Sequence, residues 1–473
     1  MKIAHLFILI LLTSTISHSQ CVNYNALQLD HELFNNPALG NATTPERDKT
    51  DKPYIYLAST NAGIKVLDIS LSGVTSLNNT ITNIQLGGLS VINLIQHGVY
   101  LYATLGDIWS TNEESGLAII DVTDPTSPIV LDFYSLSGTS GGAGAVFIEG
   151  DFAYLAGMQS GLIILDISDK SNITFKSQLV LQNDFPHNQT GGSGLYNARG
   201  IAIKNNTAFI CYDRGGLRIV DVSNVNSPAQ INQYVFTDLI DNATAYNNIE
   251  IHNNLAYITL DYYGVEILDI SNPMSIIQVG WWHGTGWQTP TNDAILWSNA
   301  IGHANELALD TVCNKLYLSA GKSDIVVLDV SNISSISMCE SYQSTTDDYG
   351  SWGMDLYNNK VYVAYIWATI TPPHSNYTGV RELNITPCIT SIYSESKSIL
   401  QLYPNPVNDI VTITSSEIIK DIEIYNILGE KVKNTHSNST FNLQLNTEEF
   451  SPGIYQFKIK TEKSIVVKKV IIK

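Results

Sequence analysis

Apolar and polar positions alternate along this chain in short runs rich in Val, Ile and Tyr, each soon broken by Gly, Asn or Asp. That alternation is the signature of half-buried strands, and the roughly 3.6-residue apolar period of a helical solenoid is missing. One run recurs: GIKVLDIS from Gly63, GLAIIDVT from Gly116, GLIILDIS from Gly161, GLRIVDVS from Gly216, GVEILDIS from Gly264, DIVVLDVS from Asp324 and a worn GVRELNIT from Gly379. Its acid falls at Asp68, Asp121, Asp166, Asp221, Asp269 and Asp329, with Asn384 in the seventh place, so successive spacings are 53, 45, 55, 48, 60 and 55 residues. Two more strand-like runs precede each copy, as in ARGIAIKNN from Ala198 and TAFICYD from Thr207, and a more polar run such as AQINQYVF from Ala229 follows.

The repeating unit is therefore a four-stranded antiparallel meander whose period matches a propeller blade, about 40 to 50 residues plus loops. A β-helix would need coils of about twenty residues or fewer. Radial packing also leaves only short, protected edges, which an open array of sheets would not. The expected fold is all-β, a seven-bladed β-propeller of four-stranded blades followed by a small C-terminal β-sandwich, with six or eight blades as the alternatives. The first copy lacks an obvious inner strand and the last an evident outer one. The segment VNYNALQL from Val22 is offered as a strand that latches the ring.

The repeated aspartate invites a metal or catalytic reading. Asp-x-Ser at a strand end instead suits a side chain accepting a backbone N–H in the following turn. One acid per blade at the same place also does not converge on one site.

Length fits a repeat array plus a further domain, since one ordinary core stops growing near roughly 250 to 300 residues and the chain has 473. A formal charge of -19 excludes a basic nucleic-acid-binding face. Lys2, the apolar run from Leu6 to Leu12 and the small residues Ser17 and Ser19 read as a signal peptide over residues 1–19. A lipid anchor on Cys21 is the rival reading, disfavoured because Gln20 stands where Gly or Ala is usual. No later stretch approaches the roughly 20 apolar residues that span a bilayer. In an oxidising compartment Cys21, Cys211, Cys313, Cys339 and Cys388 leave one thiol over. Cys21 with Cys388 would tie the ends of the ring, and Cys313 with Cys339 would meet within one blade, leaving Cys211 in a strand.

The repeats are expected over residues 20–388, a Ser-rich linker over 389–400 and a separate β-domain over 401–473. That last domain carries YPNP from Tyr403, YNILGEKV from Tyr425, SPGIY from Ser451 and a basic final strand with Lys468, Lys469 and Lys473. These four motifs, in this order, resemble the type A C-terminal sorting domain of the type IX secretion system of Bacteroidetes. The resemblance implies handling by that secretion machinery, and a secreted or outer cell-surface location. The seven copies resemble the LVIVD repeat of bacterial and archaeal surface proteins, which implies a propeller and brings no catalytic residues.

In blades of strand order A-B-C-D, the B–C loops and D–A connections share one face, and long insertions mark a functional face. The long segments fall there, beginning at Gly106, Asp184, Trp281 and Ile366. In or beside them lie the candidate ligand-binding residues Trp109, Trp282, His283, Trp287, Trp297, His303, Trp367 and His374, accompanied by Tyr262. Exposed indoles suit stacking on sugar rings or on apolar groups of a protein partner. The competing reading, given equal weight, is that such loops bury their tryptophans as small cores; Trp281 and Trp352 are assigned to packing. GTSGG from Gly138 fits G-x-S-x-G without its strand-to-helix elbow, and no zinc helix or calcium loop occurs, so no metal or cofactor is expected. The expectation is a binding protein recognising glycan or protein. The alternative is an extracellular polysaccharide hydrolase or lyase using Asp107, Glu113, Asp213 and Asp261, and a third reading is a structural surface-layer part.

Overall fold

The structure, a computed structural model, describes residues 28–35, 41–71, 74–109, 112–187, 196–242, 244–291, 301–342, 350–367, 377–385, 400–427, 430–462 and 465–473. The chain divides into two compact units, Met1–Cys388 and Ile389–Lys473.

The first unit holds seven four-stranded antiparallel sheets, each a meander in the order inner strand A to outer strand D. Blade 1 is Pro45–Arg47, Tyr54–Ala58, Ile64–Leu71 and Val74–Ile81; blade 2 is Val91–His97, Tyr100–Leu105, Ser115–Asp121 and Ile129–Leu136. Blade 3 is Ala145–Glu149, Phe152–Ala156, Leu162–Asp166 and Thr174–Leu179; blade 4 is Gly200–Lys204, Thr207–Cys211, Leu217–Asp221 and Ala229–Tyr234. Blade 5 is Tyr246–His252, Leu255–Leu260, Val265–Asp269 and Ile277–Trp282; blade 6 is Leu307–Asp310, Lys315–Ser319, Ile325–Asp329 and Ser337–Tyr342. Blade 7 takes Ser351–Tyr357, Lys360–Tyr365 and Gly379–Asn384 from the end of the unit and Gln28–Asn35 from its beginning.

That last strand closes the ring. Gln28 stands opposite Asn384 and Asn35 opposite Gly379, so the N-terminal segment becomes the outer strand of the last blade. An N-terminal latch therefore exists, but it lies further along the chain than the expected VNYNALQL segment: the two share Gln28 and Leu29, the strand continues to Asn35, and residues 22–27 lie outside the described residues. The missing inner strand of blade 1 is the three-residue Pro45–Arg47, too short to show a period in sequence.

The B and C strands are apolar on both faces because each sheet is sandwiched between two others. The core is accordingly divided into interblade clusters. Ile64, Val66 and Leu101 meet between blades 1 and 2, and Leu117, Val146 and Leu155 between blades 2 and 3. The circle ends where Ile55, Leu57 and Leu67 of blade 1 pack on Tyr362, Ala364 and Val380 of blade 7.

Near the axis the inner strands approach so closely that some positions exclude a side chain. A Cβ on Gly353 would lie 2.1 Å from the Thr43 carbonyl oxygen of the next blade, and one on Gly200 2.6 Å from that of Asn247. Inner strands also have a free edge facing the axis, whose N–H groups need acceptors. Carboxylates of neighbouring blades supply them. Glu46 accepts from the Gln96 N–H at 2.8 Å, Glu250 from Leu309 at 2.9 Å, Glu306 from Met354 at 3.2 Å, and Asp355 from Arg47 at 2.8 Å across the closing interface.

The repeated aspartate does what its spacing suggested. Asp68, Asp121, Asp166, Asp221, Asp269 and Asp329 each accept the N–H of the residue two positions on, at 2.7–3.0 Å. In blade 6 Asp329 also faces the buried Lys315 ammonium at 3.1 Å. Cys313 and Cys339 are both disulfide-bonded. Cys211 is a free thiol buried in blade 4, and burial pushes its pKa up. Cys21 and Cys388, like the signal-peptide segment, lie outside the described residues. Among the described residues no helix is long and apolar enough to cross a membrane.

The second unit is a five-stranded sheet: Gln401–Tyr403, Ile410–Tyr425, Lys431–Asn446, Gly453–Thr461 and Ile465–Ile472. Ile410–Tyr425 pairs with three of the others, and a parallel bridge from Val407 to Ile472 brings the two ends of the sheet almost together. Val411, Ile413, Ile422, Ile424, Phe457, Ile459 and Val470 fill the space enclosed.

Two outcomes follow. A chain beginning at Asn41 lacks the latch and exposes the edge of Gly379–Asn384; calorimetry should show melting about 5 °C or more lower, with aggregation on gel filtration. Asp329→Ala removes the carboxylate that faces the buried Lys315 ammonium and should cost about 3–5 kcal/mol in urea unfolding, whereas the solvent-screened Asp166→Ala should cost about 1 kcal/mol or less.

Candidate functional site

At the loop-rich end of the ring each B–C loop reaches the start of the next blade's inner strand. Asp213 and Asp261 sit at these joints with φ of 52° and 31°. Their carbonyls accept the N–H groups of Tyr246, at 3.1 Å, and Ala304, at 2.6 Å. The carboxylates turn towards the axis and meet partners there. Asp213 lies 3.2 Å from Arg199 Nε and accepts from Asn197 Nδ2 at 2.9 Å. Asp261 lies 2.6 Å from Nε2 of His303. Burial pushes the Asp213 pKa up, against the pull of Arg199 and Asn197, and the nearby Asp261 adds to the rise.

Aromatic rings extend this cluster to the surface. The His303 imidazole meets Tyr262 edge-on at 5.1 Å and lies along Trp352, 6.3 Å between centroids and 26° between planes. Trp352 in turn touches Trp109 at 5.3 Å. Trp352 starts the inner strand of blade 7 and Trp109 belongs to the insertion of blade 2, so the pair reaches over blade 1. Trp109 is 49% exposed and Trp367 39% exposed. Trp367 leaves blade 7 beside the same corner, where the Ile366 N–H bonds to the Gly350 carbonyl just before Ser351 and Trp352.

The other sequence candidates divide by how their loops pack. Trp287 is buried, because Gly284 and Gly302 lie directly against its indole and Trp282 meets it edge-on at 5.6 Å. This loop thus forms a small core of its own, and Trp287 does not face solvent. Tyr262 and His303 are also buried, as the inner layer of the cluster rather than its surface. His283 is half-buried against Trp281, 4.7 Å away, and Trp281 donates to the Tyr263 carbonyl at 2.7 Å. Trp297 and His374 lie outside the described residues.

Trp352, assigned to packing from sequence, is the residue that joins Trp109 to His303. Its signal was its place before Gly353, the same place Arg199 holds before Gly200. Sequence reading also missed the second residue of strand C. There the buried Arg218 guanidinium donates to the Gln182, Phe185 and Gly215 carbonyls and holds the Asp184 segment down. Buried Glu266 accepts from Tyr234, Tyr246 and Gln278 at the same position of blade 5.

The acids considered for hydrolysis are all occupied locally. Asp107 accepts the Trp109 N–H, and both oxygens of Glu113 accept from Ser90. Asp213 and Asp261 face Arg199 and His303 as above. Among the described residues no group of three or more His, Cys, Asp or Glu is placed to hold a metal ion.

Along the axis, Ile108, Met158, Arg199 and Trp352 leave only about 40 Å³ at the loop-rich mouth. Towards the opposite face the channel widens to about 520 Å³, reaching Lys204 and Asn253.

Comparison with known proteins agrees with this architecture. Residues 401–473 match the family described as "Secretion system C-terminal sorting domain". Residues 112–135, 140–179, 197–235, 246–282 and 314–344 match the LVIVD repeat. No curated protein matches the chain. Among solved structures, the β-propeller domain of Myceliophteria thermophila Cps50 (Swd1) aligns at a TM-score of 0.50 and 9% identity, covering 76% of this chain and 100% of that one. A chain of the mitotic checkpoint complex aligns at 0.49 and 9%, covering 76% and 91%. At 9% identity the likeness to the Cps50 domain shows the fold alone, and nothing is drawn from the second. The sorting domain indicates export, to the cell surface or into the medium. The chain is an LVIVD-repeat β-propeller protein that carries a type IX secretion C-terminal sorting domain.

Proposed function

We propose that this exported propeller is a binding protein that recognises carbohydrate at the blade 7 corner of its loop-rich face. The observation that carries the reading is the indole pair Trp109–Trp352, with Trp109 half open to solvent and Trp367 exposed beside it. Indole faces stack on the C–H faces of sugar rings, and the rings are held rigidly enough to lose little entropy on binding. Trp352 is fixed from below by His303, whose partner Asp261 is itself anchored at the joint with the next blade. Binding is favoured over hydrolysis because each candidate acid already has a local partner. A hydrolytic pair would need two carboxyl groups free to face a scissile bond, about 5 to 10 Å apart.

A glycan and cell-wall array probed with the purified protein tests the reading. Trp109→Ala and Trp367→Ala should each weaken binding to the best ligand about tenfold, the loss expected of one stacked ring. An array with no bound glycan, or undiminished binding by both variants, would overturn it.

A further inference from the structure

A wider space opens along the axis beyond Trp352 and Ile108. Its wall combines apolar side chains, Ile95, Phe147, Ile203, Ile251, Leu307 and Met354 of six inner strands, with polar groups in about equal measure. At about 520 Å³ it falls within the range of small-molecule sites. Trp352 and Ile108 narrow the way to the loop-rich face, so the cavity is served from the face of the short A–B turns, where Lys204 and Asn253 line it.

Three carboxyl groups enter this space: Glu46, Glu250 and Glu306. Glu46 has the Lys49 ammonium 3.7 Å away, and that ammonium sits closer to Asp355, at 2.6 Å. Lys204 is turned to Asn254, to which it donates at 2.8 Å. Glu250 and Glu306 have no cation against them among the described residues. Each accepts one backbone N–H, from Leu309 and Met354; Glu306 also meets the Thr44 and Asn93 side chains, and the ionisable neighbours are Tyr257 for Glu250 and Asp355 for Glu306. A chamber that sets apolar side chains beside carboxyl groups with no cation against them suits a positive charge carried on a hydrophobic body.

We infer that the axial cavity binds a small organic cation, an amine on an apolar body, with Glu250 and Glu306 facing the charge and the isoleucines and Phe147 facing the body. This site is separate from the tryptophan corner and does not depend on it. Burial disfavours the charged forms and raises both carboxyl groups to about 7; Glu46 stands at about 8 for the same reason, with Asp355 adding to it. Both glutamates are therefore ionised above neutral pH and protonated well below it, while an alkylammonium keeps its charge throughout. Affinity should fall as the pH drops.

Calorimetric titration of the full chain with n-hexylammonium, and with 1-hexanol and hexanoate as matched probes, tests the inference. At pH 8.5 hexylammonium should bind about tenfold or more tightly than hexanol, and hexanoate least. At pH 5.5 that preference should shrink to about twofold as the carboxylates take up protons. A Glu250→Gln/Glu306→Gln variant keeps a carbonyl for the Leu309 and Met354 N–H groups and should lose the preference at pH 8.5. If that variant does not fold, the pH comparison on the unaltered protein decides. Trp109→Ala should leave hexylammonium binding unchanged, which separates this site from the glycan reading. Hexylammonium binding no tighter than hexanol at pH 8.5, a preference indifferent to pH, or no binding of either at millimolar concentration would each overturn it.

Discussion

Burial of both faces of every sheet is the constraint on which this propeller depends. A blade with apolar residues on both sides of its B and C strands has no stable existence alone, and an open row of such blades leaves two apolar faces in water. Closing the row into a ring removes both. Here the closing contact is Ile55, Leu57 and Leu67 against Tyr362, Ala364 and Val380, and a strand exchange reinforces it, with Gln28–Asn35 completing the last sheet from the other end of the unit. The seam is thus held by backbone pairing as well as by packing.

The same geometry decides where chemistry is available. Crowding of inner strands at the axis demands Gly353 and Gly200, places Trp352 and Arg199 just before them at the mouth, and requires acceptors for edge N–H groups. Glu46, Glu250, Glu306 and Asp355 meet that requirement between blades. That duty also brings Glu46, Glu250 and Glu306 to the wall of the axial chamber, where burial raises their pKa values. Function at either end of the axis would therefore draw on residues that the ring already needs.

Much of the fold was legible because it repeats. The Gly-to-Asp strand motif fixed the period, and its aspartates cap the turns that their spacing implied. What sequence showed poorly were elements without a period of their own: Pro45–Arg47 is three residues long, and Gln28–Asn35 is mostly polar. The site was less legible than the fold. Whether a loop tryptophan is open or closed depends on what lies beneath it, and nothing local distinguishes Trp287, packed against Gly302, from Trp109, resting on a blade far away in sequence. The widest part of the channel escaped notice altogether, since it is lined by inner-strand residues on the side with the shortest turns.

Hydrogen–deuterium exchange across the seam tests the closed ring most directly. The account predicts that amides of Gly379–Asn384 are as strongly protected as those of Leu217–Asp221, the equivalent strand C in the interior of the chain. Fast exchange at 379–384, at the rate of an unpaired sheet edge, would contradict it.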